Sequence, residues 1–111
     1  MSGLTTHVLD LAHGRPAAGM TLRLYRDGQQ LRTATTNADG RCDAPLLAEL
    51  GVGKYRLEFE VAAYFRAQGV DLAEPAFLDV VRLDFGISDV TAHHHVPLLV
   101  SPYGYSTYRG S

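Results

Sequence analysis

Histidine is the residue type in this sequence best suited to proton transfer, and four of the five histidines lie in two short segments. His7 lies near the start of the chain, and His93, His94 and His95 are consecutive near its end. The pKa of an imidazole is close to neutral pH, so this side chain can take a proton from water or return one to a leaving group. The two segments are therefore the first candidates for an acid-base site.

The orientation of His7 follows from the period of a β-strand. The apolar Val8 is expected to face the protein core. The opposite parity then places His7 on the outer face, together with Thr5 and Leu9. A histidine in this setting is a candidate catalytic group, but considered by itself it is more often a solvated surface histidine, and both interpretations stay open.

Strand alternation also separates the three consecutive histidines. His94 is expected to share the apolar face with Val96 and Leu98. His93 and His95 then project together from the opposite face, where they can converge on one ligand. A His-x-His pair on a strand also suits a metal ion, but the spacing supplies no third or fourth ligand, so we predict no metal site. An ordinary surface run of histidines is the alternative.

Arg41 and the chain end add groups that could bind a substrate. An arginine just after the Gly40 turn is most often solvated, but its planar guanidinium also suits paired carbonyl or anionic oxygens. Three of the six tyrosines lie in the last nine residues, and the chain ends Tyr-Arg-Gly-Ser111. This composition is unlike that of a frayed polar terminus, so we predict an ordered one.

These groups do not decide between hydrolysis and ligand binding, because no Gly-x-Ser-x-Gly elbow, P-loop or Cys-x-x-Cys motif is present. Ten basic and twelve acidic residues give a net charge of −2, and the basic residues are scattered, which argues against a nucleic-acid partner. The single Cys42 cannot form an intramolecular disulfide, and neither a secretory leader nor a long apolar run is recognisable. We predict a cytoplasmic protein without a membrane partner.

Alternation with a period of two indicates that strands hold the candidate groups. It is clearest over 20–26 and 54–61, and Asp27-Gly28 predicts a tight hairpin after the first of these segments. Strands are predicted over 4–10, 20–26, 30–36, 54–61, 81–85, 92–100 and 103–109, and one short helix over 61–68. A single open sheet would leave an apolar face in water. The 111 residues are therefore expected to form one all-β domain, 1–111, with two packed antiparallel sheets.

Over essentially its whole length the chain resembles the transthyretin-like family. The resemblance rests on Leu4-Thr-Thr-His-Val-Leu-Asp10, on Thr36-Asn-Ala-Asp-Gly-Arg41, and on two segments near the end, His95-Val-Pro-Leu-Leu99 and Ser101-Pro-Tyr-Gly-Tyr-Ser-Thr-Tyr-Arg-Gly-Ser111. The last segment is the most specific. Thyroid-hormone carriers of the family share the Ser-Pro-Tyr element but lack the terminal Tyr-Arg-Gly-Ser and the two histidines that this sequence keeps.

The resemblance implies a transthyretin-like (prealbumin-like) sandwich of about eight strands with one short helix, assembled as a homotetramer that is a dimer of dimers. It implies two active sites between the dimers and the hydrolytic ring opening of 5-hydroxyisourate, without a cofactor. The family's substrate-binding residues match His7, Arg41, His95, Tyr108, Arg109, Gly110 and Ser111. Of these, His7, Arg41, His95 and Ser111 are expected to be catalytic. One histidine would deprotonate or orient water and the other would bind substrate or relay the proton, and the assignment stays open.

Two other functions remain as alternatives at this point. One is a non-enzymatic carrier of a hydrophobic aromatic ligand such as thyroxine, and the other is a small interaction module. The sequence also departs locally from the family pattern, with His94 where tyrosine is usual and Phe77-Leu-Asp-Val-Val in place of Phe-Tyr-Pro-Glu-Val. By parity the first change should affect packing, and the second only the edge of one strand. His13 is interpreted as a surface residue.

Overall fold

Short strands make up most of the computed structural model, which describes residues 3–110. The one helix in this range, α1, spans Val61–Ala67. The strands are β1 (Gly3–Thr5), β2 (Val8–Asp10), β3 (Arg15–Pro16), β4 (Thr21–Arg26), β5 (Gln29–Thr35), β6 (Gly53–Glu60), β7 (Val80–Ile87), β8 (His93–His95), β9 (Leu98–Ser101) and β10 (Gly104–Thr107).

Two four-stranded sheets form the sandwich. One has the order β5-β4-β6-β7 and is antiparallel throughout, and the other has the order β10-β9-β2-β3. The first two strands both have a parallel partner: β1 pairs with β8, and β2 pairs with β9. The period-two pattern could not have shown this, because side chains alternate in the same way in parallel and antiparallel strands.

Two of the predicted strands are interrupted where they run side by side. The segment 4–10 divides into β1 and β2, and the segment 92–100 divides into β8 and β9. Pro97 lies in the second gap and has no backbone N–H to donate to a ladder. The hydroxyl of Thr6 donates a 2.7 Å hydrogen bond to the Val96 carbonyl across the same gap. Counted as one strand each, the interrupted pairs give eight strands, which confirms the predicted all-β sandwich.

Apolar side chains from both sheets meet in one buried cluster. Leu22 on β4 and Leu57 on β6 are fully buried on the inner face of one sheet, and Val8 on β2 and Leu98 on β9 are fully buried on the other. Each such side chain stabilises the fold by about 1.5–3 kcal/mol relative to an exposed position. The parity predicted for β2 is confirmed, because Val8 is buried whereas His7 and Leu9 are only half-buried.

The short helix follows β6 directly and packs against the core. Four of its seven residues are buried, among them Tyr64 and Phe65. Gly69, with φ of +84°, lies just beyond its end, as the composition of this segment predicted. Within residues 3–110 no helix is long and apolar enough to span a membrane.

Candidate active site

An open cleft of about 460 Å³ lies beside β1 and β8. Its lining residues are Thr5, Thr6, Arg41, Cys42, Ala44, His93 and His95. His93 and His95 line the cleft together, whereas His94 is 6% exposed and its Nε2 lies 2.9 Å from the carbonyl oxygen of Asp89. The separation of the three histidines predicted from strand alternation is confirmed.

A glycine turn places Arg41 opposite His7. Asn37 and Gly40 close the turn with a 2.9 Å backbone hydrogen bond, and Arg41 then forms an isolated antiparallel bridge with His7. The amide of Val8 donates to the carbonyl of Gly40 at 2.8 Å. Gly40 has φ of +74°, and a Cβ there would collide with the Val8 carbonyl oxygen. Only glycine lets the turn approach the first strand so closely.

His7 and His95 are both held towards their neutral form. Burial, and then the positive charge of Arg41, lower the pKa of His7, although Asp39 opposes the shift. The pKa of His95 is also lowered, by burial first and then by Arg41. His7 and His93 add smaller effects in the same direction. Because an imidazole can accept a proton only when it is neutral, this environment suits a general base at neutral pH.

The hydroxyl of Thr5 connects the two histidines of β8. Its Oγ1 lies 3.0 Å from Nε2 of His93 and 2.9 Å from Nδ1 of His95. The parallel register explains the contact, because Thr5 is the direct partner of His95. Strand alternation predicted that Thr5 lies on the outer face, but no sequence motif indicated a role for it. The only sequence signal that could have linked Thr5 to the site is that it lies two residues before His7 and therefore on the same face of the predicted strand.

The chain end reaches His95 through its backbone. The amide of Gly110 donates a 2.7 Å hydrogen bond to the carbonyl of His95. Tyr108 and Arg109 do not line the cleft within one chain, but instead border a separate groove of about 270 Å³ beside His94. The structure thus groups His7, Arg41, His95 and Gly110, and it leaves Tyr108 and Arg109 on another surface. The predicted site residue Ser111 lies outside the described residues.

The prediction for His13 has a clear outcome. His13 is exposed, as interpreted from the sequence, but its Nδ1 also lies 2.6 Å from the buried carboxylate of Asp10. Across 3–110, no group of three or more His, Cys, Asp or Glu side chains is placed to hold a metal ion.

The chain forms two packed sheets of short strands, and a cleft lined by histidine and arginine lies beside its first strand. These features define a small β-sandwich protein with a candidate acid-base site. Residues 4–110 match the model of the HIUase/Transthyretin family. The chain belongs to this family.

Relatives from both branches of the family resemble the chain. It is 60% identical over 114 residues to the 5-hydroxyisourate hydrolase of Mesorhizobium japonicum, covering 97% of this chain and 91% of the relative. The structure of Klebsiella pneumoniae 5-hydroxyisourate hydrolase matches with a TM-score of 0.85 and 40% identity, over 99% of this chain and 100% of that one. Sea bream transthyretin, in a complex with thyroxine, matches with a TM-score of 0.84 and 29% identity, over 96% of this chain and 93% of that one. The chain is therefore closer in sequence to the two hydrolases than to this transthyretin.

Proposed function

We propose that the protein hydrolyses 5-hydroxyisourate, a product of urate oxidation, to 2-oxo-4-hydroxy-4-carboxy-5-ureidoimidazoline, without a cofactor. The observation that carries this proposal is the grouping of His7, Arg41 and His95: Arg41 and His95 line one cleft, and His7 forms a backbone bridge with Arg41. It occurs in a chain that is 60% identical over 114 residues to a protein named for this reaction. The cleft, at about 460 Å³, also has the size of a small-molecule site.

The reaction needs a base for the attacking water. A water oxygen adds to the ring carbonyl next to the ureide nitrogen, and a neutral histidine takes the proton that is released. His7 and His95 both have a lowered pKa, so both are in the accepting form at neutral pH. A positioned base of this kind accelerates hydrolysis by about 10²–10⁴-fold.

Arg41 has two effects in this scheme. Its guanidinium can donate to the carbonyl oxygen as negative charge develops there, and loss of one such donor typically lowers kcat by about 10²–10³-fold. The same positive charge lowers the pKa of His7 and His95 and keeps them neutral. When the ring C–N bond breaks, the histidinium returns its proton to the leaving nitrogen.

We also propose that residues 1–111 form one domain and that four copies assemble as a dimer of dimers in the cytoplasm, with the sites between dimers. An open cleft on a single chain supports an intersubunit site, since a second subunit would exclude water from it. The position of Tyr108 and Arg109 outside the cleft of their own chain is consistent with a role at such an interface. Ser111 is proposed to complete the site through its hydroxyl, amide or carboxylate. Light scattering of the purified protein tests the assembly.

The carrier function has one observation in its favour, namely the fold shared with sea bream transthyretin in its thyroxine complex. A carrier for an apolar aromatic ligand would not require two histidines beside an arginine. Tight thyroxine binding without turnover of 5-hydroxyisourate would favour the carrier.

An activity assay with freshly generated substrate tests the hydrolase. Urate oxidase converts urate to 5-hydroxyisourate, and the decay of its ultraviolet absorbance is followed with and without the protein. We expect the protein to accelerate the decay, and His7→Ala or His95→Asn to remove most of the effect. The matched control is His13→Gln, because His13 is a histidine that binds Asp10 outside the cleft. A wild-type protein that leaves the decay unchanged contradicts the proposal.

A further inference from the structure

We propose that Thr5 and His93 form a proton relay that serves His95, with His95 as the base that faces the substrate and His93 as the exit to solvent. The inference rests on the proposed hydrolysis and deepens it, because it assigns the base and adds two residues to the machinery. Thr5 and His93 act through His95 and are positioning residues.

The geometry of the relay is a chain of three side chains. The Oγ1 of Thr5 lies within hydrogen-bond distance of Nδ1 of His95, at 2.9 Å, and of Nε2 of His93, at 3.0 Å. His95 is half-buried and His93 is exposed. All three side chains line the cleft, and His93 is the one most exposed to solvent. Within residues 3–110 no group hydrogen bonds to Nε2 of His95, which leaves this nitrogen to the cleft.

The number of protons restricts how the relay is arranged. A hydroxyl has one hydrogen, so Thr5 can donate to only one of its two imidazole partners and must accept from the other. If Nδ1–H of His95 donates to Thr5, the hydroxyl donates to Nε2 of His93. Nε2 of His95 is then unprotonated and can act as a base. The reverse arrangement would protonate Nε2 of a neutral His95 and block it.

The electrostatics favour the first arrangement during catalysis. When Nε2 of His95 takes a proton from water, a positive charge forms close to Arg41 and His7, both of which disfavour it. Transfer of the Nδ1 proton to Thr5, and of the hydroxyl proton to His93, moves that charge to an exposed imidazole. Water and counterions stabilise it there. The proton count is conserved, since His95 keeps the proton from water on Nε2 and His93 gains one on its own Nε2. The two transfers reverse as the ring C–N bond breaks, so that His95 is again a histidinium when its Nε2 gives the proton to the leaving nitrogen.

The overall reaction supplies a proton for this exit. One hydrogen of the attacking water ends on the leaving ring nitrogen as the C–N bond breaks. The other is lost because the new carboxylic acid, with a pKa near that of a glutamate side chain, about 4, is ionised at neutral pH. One proton per turnover must therefore leave the site. The acid gives it to Nε2 of His95, the same two transfers carry a proton to His93, and His93 releases that proton to buffer. Proton exchange with water in the empty cleft then returns His95 to the Nδ1–H tautomer.

Two substitutions interrupt the relay without removing the base. Thr5→Val keeps the shape but removes the hydroxyl, and His93→Gln keeps a polar side chain that cannot carry a proton. We expect each to lower kcat about tenfold with KM changed less than twofold. Added imidazole should restore much of the rate in His93→Gln, and Thr5→Ser should retain near wild-type kcat. Thr33→Val is the matched control for Thr5→Val, since Thr33 is an exposed strand threonine whose hydroxyl accepts a hydrogen bond from Gln30.

Nitrogen-15 NMR of labelled imidazoles gives a readout that does not depend on the substrate. We expect Nδ1 of His95 to be protonated and Nε2 unprotonated in the wild type, and this preference to be lost in Thr5→Val. The opposite tautomer, or wild-type kcat in His93→Gln with no response to imidazole, would overturn the relay. If the wild-type protein does not hydrolyse 5-hydroxyisourate, the proposed function fails, and the tautomer still reports separately on the geometry.

Discussion

The backbone amide of Gly110 donates a 2.7 Å hydrogen bond to the carbonyl oxygen of His95. The two residues are also in close side-by-side contact, because a Cβ built on Gly110 would lie 2.6 Å from Cδ2 of the His95 imidazole. The absence of a side chain at position 110 therefore lets the chain end lie against a histidine of the cleft. Any movement of one residue must be accommodated by the other.

Gly110→Ala is expected to displace either the imidazole or the terminal segment. We predict a fall in kcat/KM of about tenfold or more, equivalent to about 1.4 kcal/mol of transition-state stabilisation. The free energy of unfolding should change by only about 0.5 kcal/mol, since the chain end contributes little to the core. Initial rates and thermal unfolding of the same preparation measure the two effects.

Gly104→Ala is the matched control in the same terminal segment. A Cβ at Gly104 would have its nearest neighbour, Oγ of Ser101, at 4.0 Å, so it meets no obstruction. We expect wild-type activity from this variant. Equal activities of the two alanine variants would show that the contact with His95 does not affect the site.

Gly40→Ala tests the turn that holds Arg41 opposite His7. The new methyl group would collide with the Val8 carbonyl oxygen. Alanine would also have to adopt a φ of +74°, which is strained for any residue with a Cβ. The conformation alone costs about 1–2 kcal/mol, and the overpacking adds about 1–3 kcal/mol. Denaturant unfolding should therefore show a large loss of stability, and the surviving folded protein should have reduced kcat because Arg41 is displaced.

Gly19→Ala separates the two contributions to this loss. Gly19 has a similar φ of +80° but no heavy atom within 4 Å of a built Cβ, so its substitution carries only the conformational cost. We expect a smaller destabilisation and wild-type kcat. A destabilisation as large as that of Gly40→Ala would mean that the contact with Val8 is unimportant.

The period of the strands predicted which faces the histidines occupy, because a one-residue slip would have exposed Val8 and buried His7. The same pattern predicted the burial of His94. It could not predict that Thr5 lies directly beside His95, since the register of a parallel pair depends on long-range packing rather than on local alternation.

Residues 108–110 also show that local sequence patterns do not predict long-range contacts. The unusual composition of the chain end predicted order, and the backbone bond from Gly110 to His95 agrees with that. The resemblance to the family predicted that Tyr108 and Arg109 belong to the site of His7 and His95. Within one chain they instead line a groove beside His94. A motif that is continuous in sequence therefore need not form one continuous surface with the other residues of the predicted site.

The pH dependence of activity should report the effect of Arg41 on the histidines. Because burial and Arg41 lower the pKa of His7 and His95, the acid limb of kcat/KM should fall below the ordinary imidazole value, about 6.5. Arg41→Gln removes the positive charge, which raises both pKa values and moves the acid limb to higher pH. Arg41→Lys keeps the charge and should leave the limb near its wild-type position, although it loses the planar fork and therefore rate. Identical acid limbs in all three proteins would contradict this account.

The buried carboxylate of Asp10 should make stability depend on acid pH. Burial raises the pKa of Asp10, but hydrogen bonds from His13 and Tyr64 outweigh this effect and leave the pKa below its usual value. The hydroxyl of Tyr64 donates at 2.8 Å to the carboxylate, which is 1% exposed. A depressed pKa stabilises the folded state fully above the unfolded value, about 3.9, and the contribution is lost as the pH falls through the folded pKa.

Tyr64→Phe removes one of the two side-chain donors to Asp10 and should cost about 1–3 kcal/mol at pH 7. The difference from wild type should shrink at acid pH, because a protonated Asp10 no longer gains from the donor. Urea unfolding at a series of pH values measures this. Tyr103→Phe is the control, since Tyr103 is 74% exposed and loses only a solvated hydroxyl. A cost for Tyr64→Phe that is the same at pH 7 and at pH 3 would show that packing of the ring, rather than stabilisation of the Asp10 carboxylate, explains the effect.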